Sequence, residues 1–245
     1  MTRWTARLAL AGALATTTLG LAACTDDAEG DSASPSAPST EQVQATRLAD
    51  VPEGTAMAPG LYAMDFVTDQ ADTPMVVIDV PAGYLGGGGG SKFLADGEVA
   101  FRHFDAWTVA EVATAPCGDT EWVDPGPGVD DLTDALSALP VWESTTPVPQ
   151  TLDGHDGVYM ELSVPATVPA ECGGQPRSWR DVQGGYQGVG EGKTQRLWIA
   201  DVDGQRLMLV AGYFPGPEGP TPAQVDEITR MAEGARFVDA AQVAP

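Results

Sequence analysis

Residues 196–214 read RLWIADVDGQRLMLVAGYF, and this stretch decides the fold. Asp203-Gly204 supplies the positive-φ pair of a tight two-residue turn. The flanking runs are apolar and β-branched, so the spacing predicts a hairpin whose arms pair Arg196–Val202 with Gln205–Tyr213. Both arms carry apolar residues on both parities in places. A strand buried on one face only would alternate cleanly, so this hairpin is expected near the middle of the protein. The fragment DVDG also matches the start of a calcium loop. The later ligands of the twelve-residue pattern are missing, and the hairpin turn accounts for it better.

Working outward, the strand signals dominate. GLYAMDFV (60–67) and MVVIDV (75–80) are short β-rich runs, the second stopped by Pro81. EVAFRHFDAWTVAEV (98–112) puts Val99, Phe101, Trp107 and Val109 on one parity. DGVYMELSVP alternates, with Val158, Met160, Leu162 and Val164 on one face and Tyr159, Glu161 and Ser163 on the other. Two helices are readable. Thr221 is an N-cap followed by Pro222 and by Gln224 as capping-box partner. Val225, Ile228 and Ala232 form that helix's apolar stripe, and Gly234 is placed to stop it. In VDDLTDALSALP, Leu132, Leu136 and Leu139 share a face and Pro140 ends the run. ARFVDA reads as a closing strand. The expected fold class is α+β, a mostly antiparallel sheet with a few helices packed on it, in a single domain over residues 48–241.

The amino end carries a different signal. MTRWTAR has Arg3 and Arg7 and no acid, and LALAGALATTTLGL is apolar and small. At about 14 residues, this run is shorter than the roughly 20 that a membrane span needs, and the layout is that of a signal peptide over residues 1–23. It ends in Leu21-Ala22-Ala23-Cys24, which resembles the lipobox of bacterial lipoproteins. That resemblance implies diacylation of the Cys24 sulfur, cleavage before it, and a lipid anchor facing the extracytoplasmic side of the cell membrane. Two acyl chains anchor firmly where one does not. Residues 24–47, TDDAEGDSASPSAPSTEQVQAT and its neighbours, hold almost no large apolar side chain. Such a segment is expected to be a disordered tether, because it cannot bury enough surface to offset chain entropy. Some 22 residues of this kind have a root-mean-square reach of about 26 Å.

Three cysteines are present. With Cys24 assigned to lipid, Cys117 and Cys172 remain as a pair, and an extracytoplasmic setting permits their disulfide. Two cysteines without nearby histidines make a poor zinc site. The formal charge is −23. Losing residues 1–23 removes two arginines and no acid, which leaves ten basic against 35 acidic residues and a net charge of −25. A surface so acidic repels phosphate backbones, so nucleic acid is an unsuitable partner. It also repels anionic lipid headgroups, so attachment to the membrane would depend on the acyl chains.

Motifs that carry chemistry are sparse. YLGGGGGSKF (84–93) looks superficially like a phosphate loop, but Gly90-Ser91-Lys92-Phe93 has its lysine after the serine and no helix-forming stretch behind it. A flexible connection between two strands is the expected role. The sequences G-x-S-x-G, S-x-x-K and H-E-x-x-H are absent. His103 falls on an apolar strand parity and reads as a core residue, while His155 reads as a polar turn residue. No metal site and no cofactor are expected. The binding candidates are Arg177, Trp179, Arg180 and Tyr186, expected in a glycine-rich loop after Cys172, with Arg196 and Trp198 on one parity of the hairpin arm. Arginine and tryptophan are enriched at binding hot spots, and aromatic faces suit sugar rings. The competing expectation is that these arginines balance nearby acids while the two tryptophans pack in the core.

The order of elements carries a resemblance: a strand ending in VPAGY, a strand, a short helix, LDGHDGVYMELSVP, the LWIADVDGQRLMLVAGYF hairpin, a capped helix and a closing ARFVDA. It resembles lipid-anchored lipoproteins of actinobacteria and, more distantly, the PsbP-like fold, which includes the extrinsic photosystem subunit and LpqN-type mycobacterial lipoproteins. The likeness covers about residues 75–241. It implies a non-catalytic binding or assembly role, with an envelope protein or a small ligand as partner. The alternative is a cell-envelope hydrolase using a pair among the 35 acids, as glycoside hydrolysis would require.

Overall fold

The computed structural model describes residues 42–87, 89–95, 102–215 and 219–244, all within one compact unit. The expected leader (1–23), the lipidation residue Cys24 and most of the expected tether lie outside the described residues.

The strands form three sheets. The first joins β1 (Thr46–Arg47), β2 (Gly60–Met64), β3 (Met75–Val80) and β16 (Arg236–Val238) in that order. The large sheet runs β10 (Val148–Leu152), β11 (His155–Ser163), β14 (Thr194–Val202), β15 (Gln205–Tyr213), β6 (His103–Trp107), β5 (Lys92–Ala95) and β4 (Tyr84–Gly86), with β9 (Glu143–Ser144) beside β11. The third is β13 (Tyr186–Gly188), β12 (Arg177–Arg180), β7 (Glu111–Ala115) and β8 (Glu121–Val123). Apart from the parallel β1–β2 pair, the ladders between these strands are antiparallel. Two helices, α1 (Val129–Ser137) and α2 (Pro222–Glu233), complete an α+β protein.

The hairpin at 194–213 lies in the middle of the large sheet, where its two-sided apolar pattern places it. Asp203 and Gly204 have φ of 53° and 83°, and the turn is held by the Gly204 N–H donating to Asp201 Oδ1 at 2.7 Å. One face of the sheet, with Trp198, Ala200, Leu207 and Leu209, builds a core against α2 and the first sheet. The other, with Leu197, Ile199, Met208 and Val210, builds a second core against α1 and the third sheet. On both faces the hairpin's apolar side chains are buried, and only its polar residues, such as Asp201 near the turn, reach water. That explains why alternation fails there, while β10, at the sheet edge, keeps exposed residues.

The helices follow their sequence signals. Thr221 and Gln224 cap each other reciprocally, the Thr221 N–H donating to Gln224 Oε1 at 2.9 Å. Ile228, Met231 and Ala232 enter the first core. Gly234 ends α2 at φ −90°, so the left-handed freedom of glycine is not used there. Leu132, Leu136 and Leu139 of the α1 region enter the second core.

Several expectations are corrected. The run 98–112 is not one strand. Of its described part, 103–107 joins the large sheet and 111–115 the third, with a corner at 108–110 between them, while Val99 and Phe101 lie outside the described residues. Ordered structure begins before residue 48. Val43 bridges Val243, and Thr46–Arg47 pairs with β2, because Val43 and Ala45 have apolar partners in a small third core. The same bridge carries the unit past residue 241. The glycine run connects β4 to β5, and Gly86, Gly87 and Gly90 within it are closely packed, while Gly89 faces open space. A Cβ on Gly86 would lie 2.8 Å from Val51 Cγ1, and Gly90 is buried at φ +78° with Ala49 against it.

Candidate functional site

Four of the six candidate residues come together on the third sheet, which is not a glycine-rich loop. Arg177 and Arg180 stand three apart on β12, a spacing that in a regular strand would send them to opposite faces. A β-bulge removes the conflict. Arg177 pairs with Gly188 and Arg180 with Tyr186, so three steps on β12 match two on β13 and both arginines share a face. Across the sheet, Arg180 is opposite Glu111, and Trp122 is opposite Ala113, two residues along β7 from Glu111. The register therefore puts Tyr186, both arginines, Glu111 and Trp122 in one band across four strands.

Contacts within the band follow from that register. The Arg177 guanidinium lies 4.7 Å from the centroid of the Tyr186 ring and donates to Thr120 Oγ1 at 2.9 Å. The Arg180 guanidinium lies 5.0 Å from the Trp122 ring and is paired with Glu111. Arg180 and Glu111 are each about one-third exposed (33% and 31%), so solvent screens the pair and its contribution to stability is small. Tyr186 is 54% exposed. Trp179 is fully buried beneath the band, edge-on to Trp107 with ring centroids 6.0 Å apart.

The turn that presents Tyr186 is built by one side chain. Asp181 Oδ1 accepts from the N–H groups of Gln183 and Gly185 at 2.8 and 2.9 Å. The sheet is fastened to the remainder by the Cys117–Cys172 disulfide, whose Cα atoms are 4.2 Å apart. This crosslink and the Arg177 N–H to Pro116 carbonyl bond, 2.9 Å, hold the entry to β12 against the exit from β7.

Arg196 and Trp198 lie elsewhere. They face the first core, under α2. Trp198 is 2% exposed and packs on Tyr159, ring centroids 5.2 Å apart. Arg196 Nε is 3.1 Å from Glu161 Oε1, its Nη1 donates to Thr229 Oγ1 of α2 at 2.5 Å, and its guanidinium is 5.9 Å from the Tyr213 ring. Burial, followed by the hydrogen bond to Glu161, pushes the Tyr159 phenol well above its ordinary range. Burial raises Tyr213 too, with Arg196 opposing. This group clamps a helix to a sheet. The six candidates therefore divide between two layers, and the two tryptophans occupy different cores.

Sequence reasoning missed Trp122 and Glu111, which complete the band. Their signal is the two-residue register across β7–β8, invisible until β7 is separated from β6. His103 matches its expected place in the core, but His155 is a strand residue and not the polar turn residue expected, because the turn itself is Asp153-Gly154. His103 is buried in β6, and His155 begins β11 and packs edge-on to Phe237 at 5.7 Å. Open clefts of about 480 Å³ beside Arg47 and Tyr62 and about 380 Å³ beside Asp69 and Arg206 include none of the six. In the second, Arg206 is engaged by the carbonyls of Val109, Gly126 and Gly128. Among the described residues there is no group of three or more His, Cys, Asp or Glu side chains able to hold a metal, and no helix is long and apolar enough to cross a membrane.

The fold and the band define an α+β protein with a half-exposed arginine–aromatic surface on a small accessory sheet. No protein-family model, curated protein or solved structure matches the chain.

Proposed function

We propose that the protein is a lipid-anchored, extracytoplasmic binding lipoprotein of the cell envelope, non-catalytic, with a domain related to the PsbP-like and LpqN-type lipoproteins. The leader, the Leu21-Ala22-Ala23-Cys24 box and the acidic Ser/Pro/Ala segment support the placement. The antiparallel sheet with a capped C-terminal helix supports the kinship.

The observation that carries the binding reading is the band on the third sheet. Tyr186 and Trp122 are each held flat by an arginine, so little side-chain entropy is lost when a partner covers them. Charged and aromatic groups lie side by side, the composition of interface hot spots. The rings also suit stacking on a sugar of the envelope.

A photo-crosslinking residue in place of Tyr186, in the full-length protein on living cells, is expected to trap a discrete envelope protein or glycan, and the trapping is expected to weaken with Arg177→Ala or Arg180→Ala. Metabolic labelling with an alkyne fatty acid is expected to mark the protein, and Cys24→Ala to abolish the mark. Crosslinking no stronger than at an exposed site on β10 would overturn the binding reading. An unlabelled protein with residues 1–23 still attached would overturn the placement.

A further inference from the structure

The chain has only two lysines, Lys92 and Lys193, and both serve one carboxylate. Lys92 on β5 is the direct cross-strand partner of Asp105 on β6, and its Nζ lies 3.6 Å from Asp105 Oδ1. The Asp105 side chain is 3% exposed. On its other side, His103 Nε2 lies 3.4 Å from Oδ2. Both contacts are slightly long for hydrogen bonds. Burial raises the Asp105 pKa, against the pull of Lys92 and Lys193. Burial also brings Lys193 down to about 8, against the pull of Asp105.

Glycines make room for this group. Gly212 is the cross-strand partner of His103, and any Cβ there would collide with the imidazole ring. At Gly87, inside the glycine run, a Cβ would lie 3.0 Å from Lys92 Cγ. The run thus lets the lysine stem lie close along its own hairpin and reach Asp105. The pair is buried on one side only: the Lys92 side chain is 37% exposed, while the carboxylate loses its hydration and the attraction repays that cost only in part.

We propose that Lys92 and Asp105 condense into an intramolecular isopeptide bond that joins β5 to β6. The reaction balances without any co-reactant. Transfer of one proton from the ammonium to the carboxylate gives an amine and a carboxylic acid, and burial of Asp105 favours the uncharged acid. The Nζ lone pair adds to Cγ, forming the C–N bond. His103 takes a proton from that nitrogen and returns it to the departing oxygen, the C–O bond breaks, and one water leaves. Ammonium plus carboxylate becomes amide plus water, with no change of oxidation state. The Nζ lies 3.6 Å from an oxygen of the carboxyl group whose carbon it would attack, so the two groups are already held side by side. The product replaces a buried carboxylate and its partly exposed ammonium by one neutral amide.

The test uses the full-length protein, denatured and reduced so that burial protects nothing, then reductively methylated and digested with trypsin. The expected result is a branched peptide joining Lys92 to Asp105, one water lighter than its two parts, with no methyl group on Lys92 and complete methylation of Lys193. Asp105→Ala is expected to return Lys92 to full methylation. His103→Ala is expected to slow formation of the branched peptide in freshly made protein. Linear peptides with methylated Lys92 in the wild type would overturn the proposal, as would a branch at Lys193. The wild-type digest decides the matter even if Asp105→Ala fails to fold.

Discussion

The molecule uses its few cations in two opposite ways. Arg196 and Lys193 lie at or just before β14, within the packed layers; Arg196 is paired with Glu161, and Lys193 lies where burial penalises its charge and Asp105 draws it electrostatically. Arg177 and Arg180 lie on the third sheet, lean on exposed or half-exposed rings, and keep contact with water. In sequence the two sets are alike, arginine beside an aromatic residue within a β-rich run. The difference lies in what covers the strand. β14 has a strand on either side and a core on each face, whereas β12 has a core on one face only. The same residue pair becomes a clamp in one layer and a presented surface in the other.

The tryptophans beneath the two sets should behave alike, and that is the strongest way to sharpen the comparison. Trp198 and Trp179 are both almost fully buried, one in each core. Replacing either with alanine removes the buried ring and leaves a cavity, costing about 4 kcal/mol. Denaturant unfolding of Trp198→Ala and Trp179→Ala is expected to show similar large losses. A loss below about 1 kcal/mol at Trp179 would mean that the third sheet does not share the cooperative core.

The arginines should then diverge. Arg196→Ala leaves Glu161 without its cation and Thr229 without its donor, under a helix. This half-buried pair is expected to contribute about 2 kcal/mol, between the exposed and buried extremes. Arg177→Ala and Arg180→Ala are expected to cost less than about 1 kcal/mol each. Equal losses at all three positions would break the distinction between clamp and surface.

A smaller effect separates Lys193 from the surface cations by pH. Its folded pKa, about 8, lies below the ordinary value of 10.5. Below pH 8 the amine is charged in both states, and the folded state bears the full cost of burying it. Between pH 8 and 10.5 the folded protein releases the proton while the unfolded chain retains it, so stability rises with pH through that window. Melting temperatures at pH 7, 8 and 9 are expected to climb relative to Lys193→Met. The Arg177→Ala variant should keep the slope, and a slope that survives in Lys193→Met would assign it to another group.

How much of this was legible in the sequence follows the same division. The hairpin, α2 and its cap, α1 and the cysteine pair could be read because each rests on local chemistry: a turn dipeptide, a reciprocal cap, a 3.6-residue stripe, a cysteine count. The separation of 98–112 into two sheets could not, because a strand that turns a corner at Thr108–Ala110 keeps its β-favouring composition throughout. The band on β12 was half legible. Its arginines stood out in a chain so poor in cations, but the bulge that puts Arg177 and Arg180 on one face depends on pairing with β13. The partners of Lys92 were hidden for the same reason. Lys92 and Asp105 are thirteen positions apart, and only the cross-strand register brings them together.

The smallest stability effect carries the most functional weight. Tyr186 is more than half exposed, and its ring rests on Arg177 at the turn between two short strands. Surface substitutions of this kind usually change stability by less than about 0.5 kcal/mol. Tyr186→Ala is therefore expected to unfold with the wild type, its midpoint and slope in denaturant unchanged. A ring kept at the surface for a partner should instead show its value only in complex, where truncating a hot-spot tyrosine costs about 2 kcal/mol, or roughly thirty-fold in affinity. The pair of measurements is decisive because the two roles predict opposite outcomes. If Tyr186→Ala loses as much stability as Arg196→Ala, the band is a second clamp, holding the 181–185 turn closed, and the contrast between the layers disappears. If stability holds and retention of the trapped envelope partner falls, the exposed layer is the working face and the covered layers are its support.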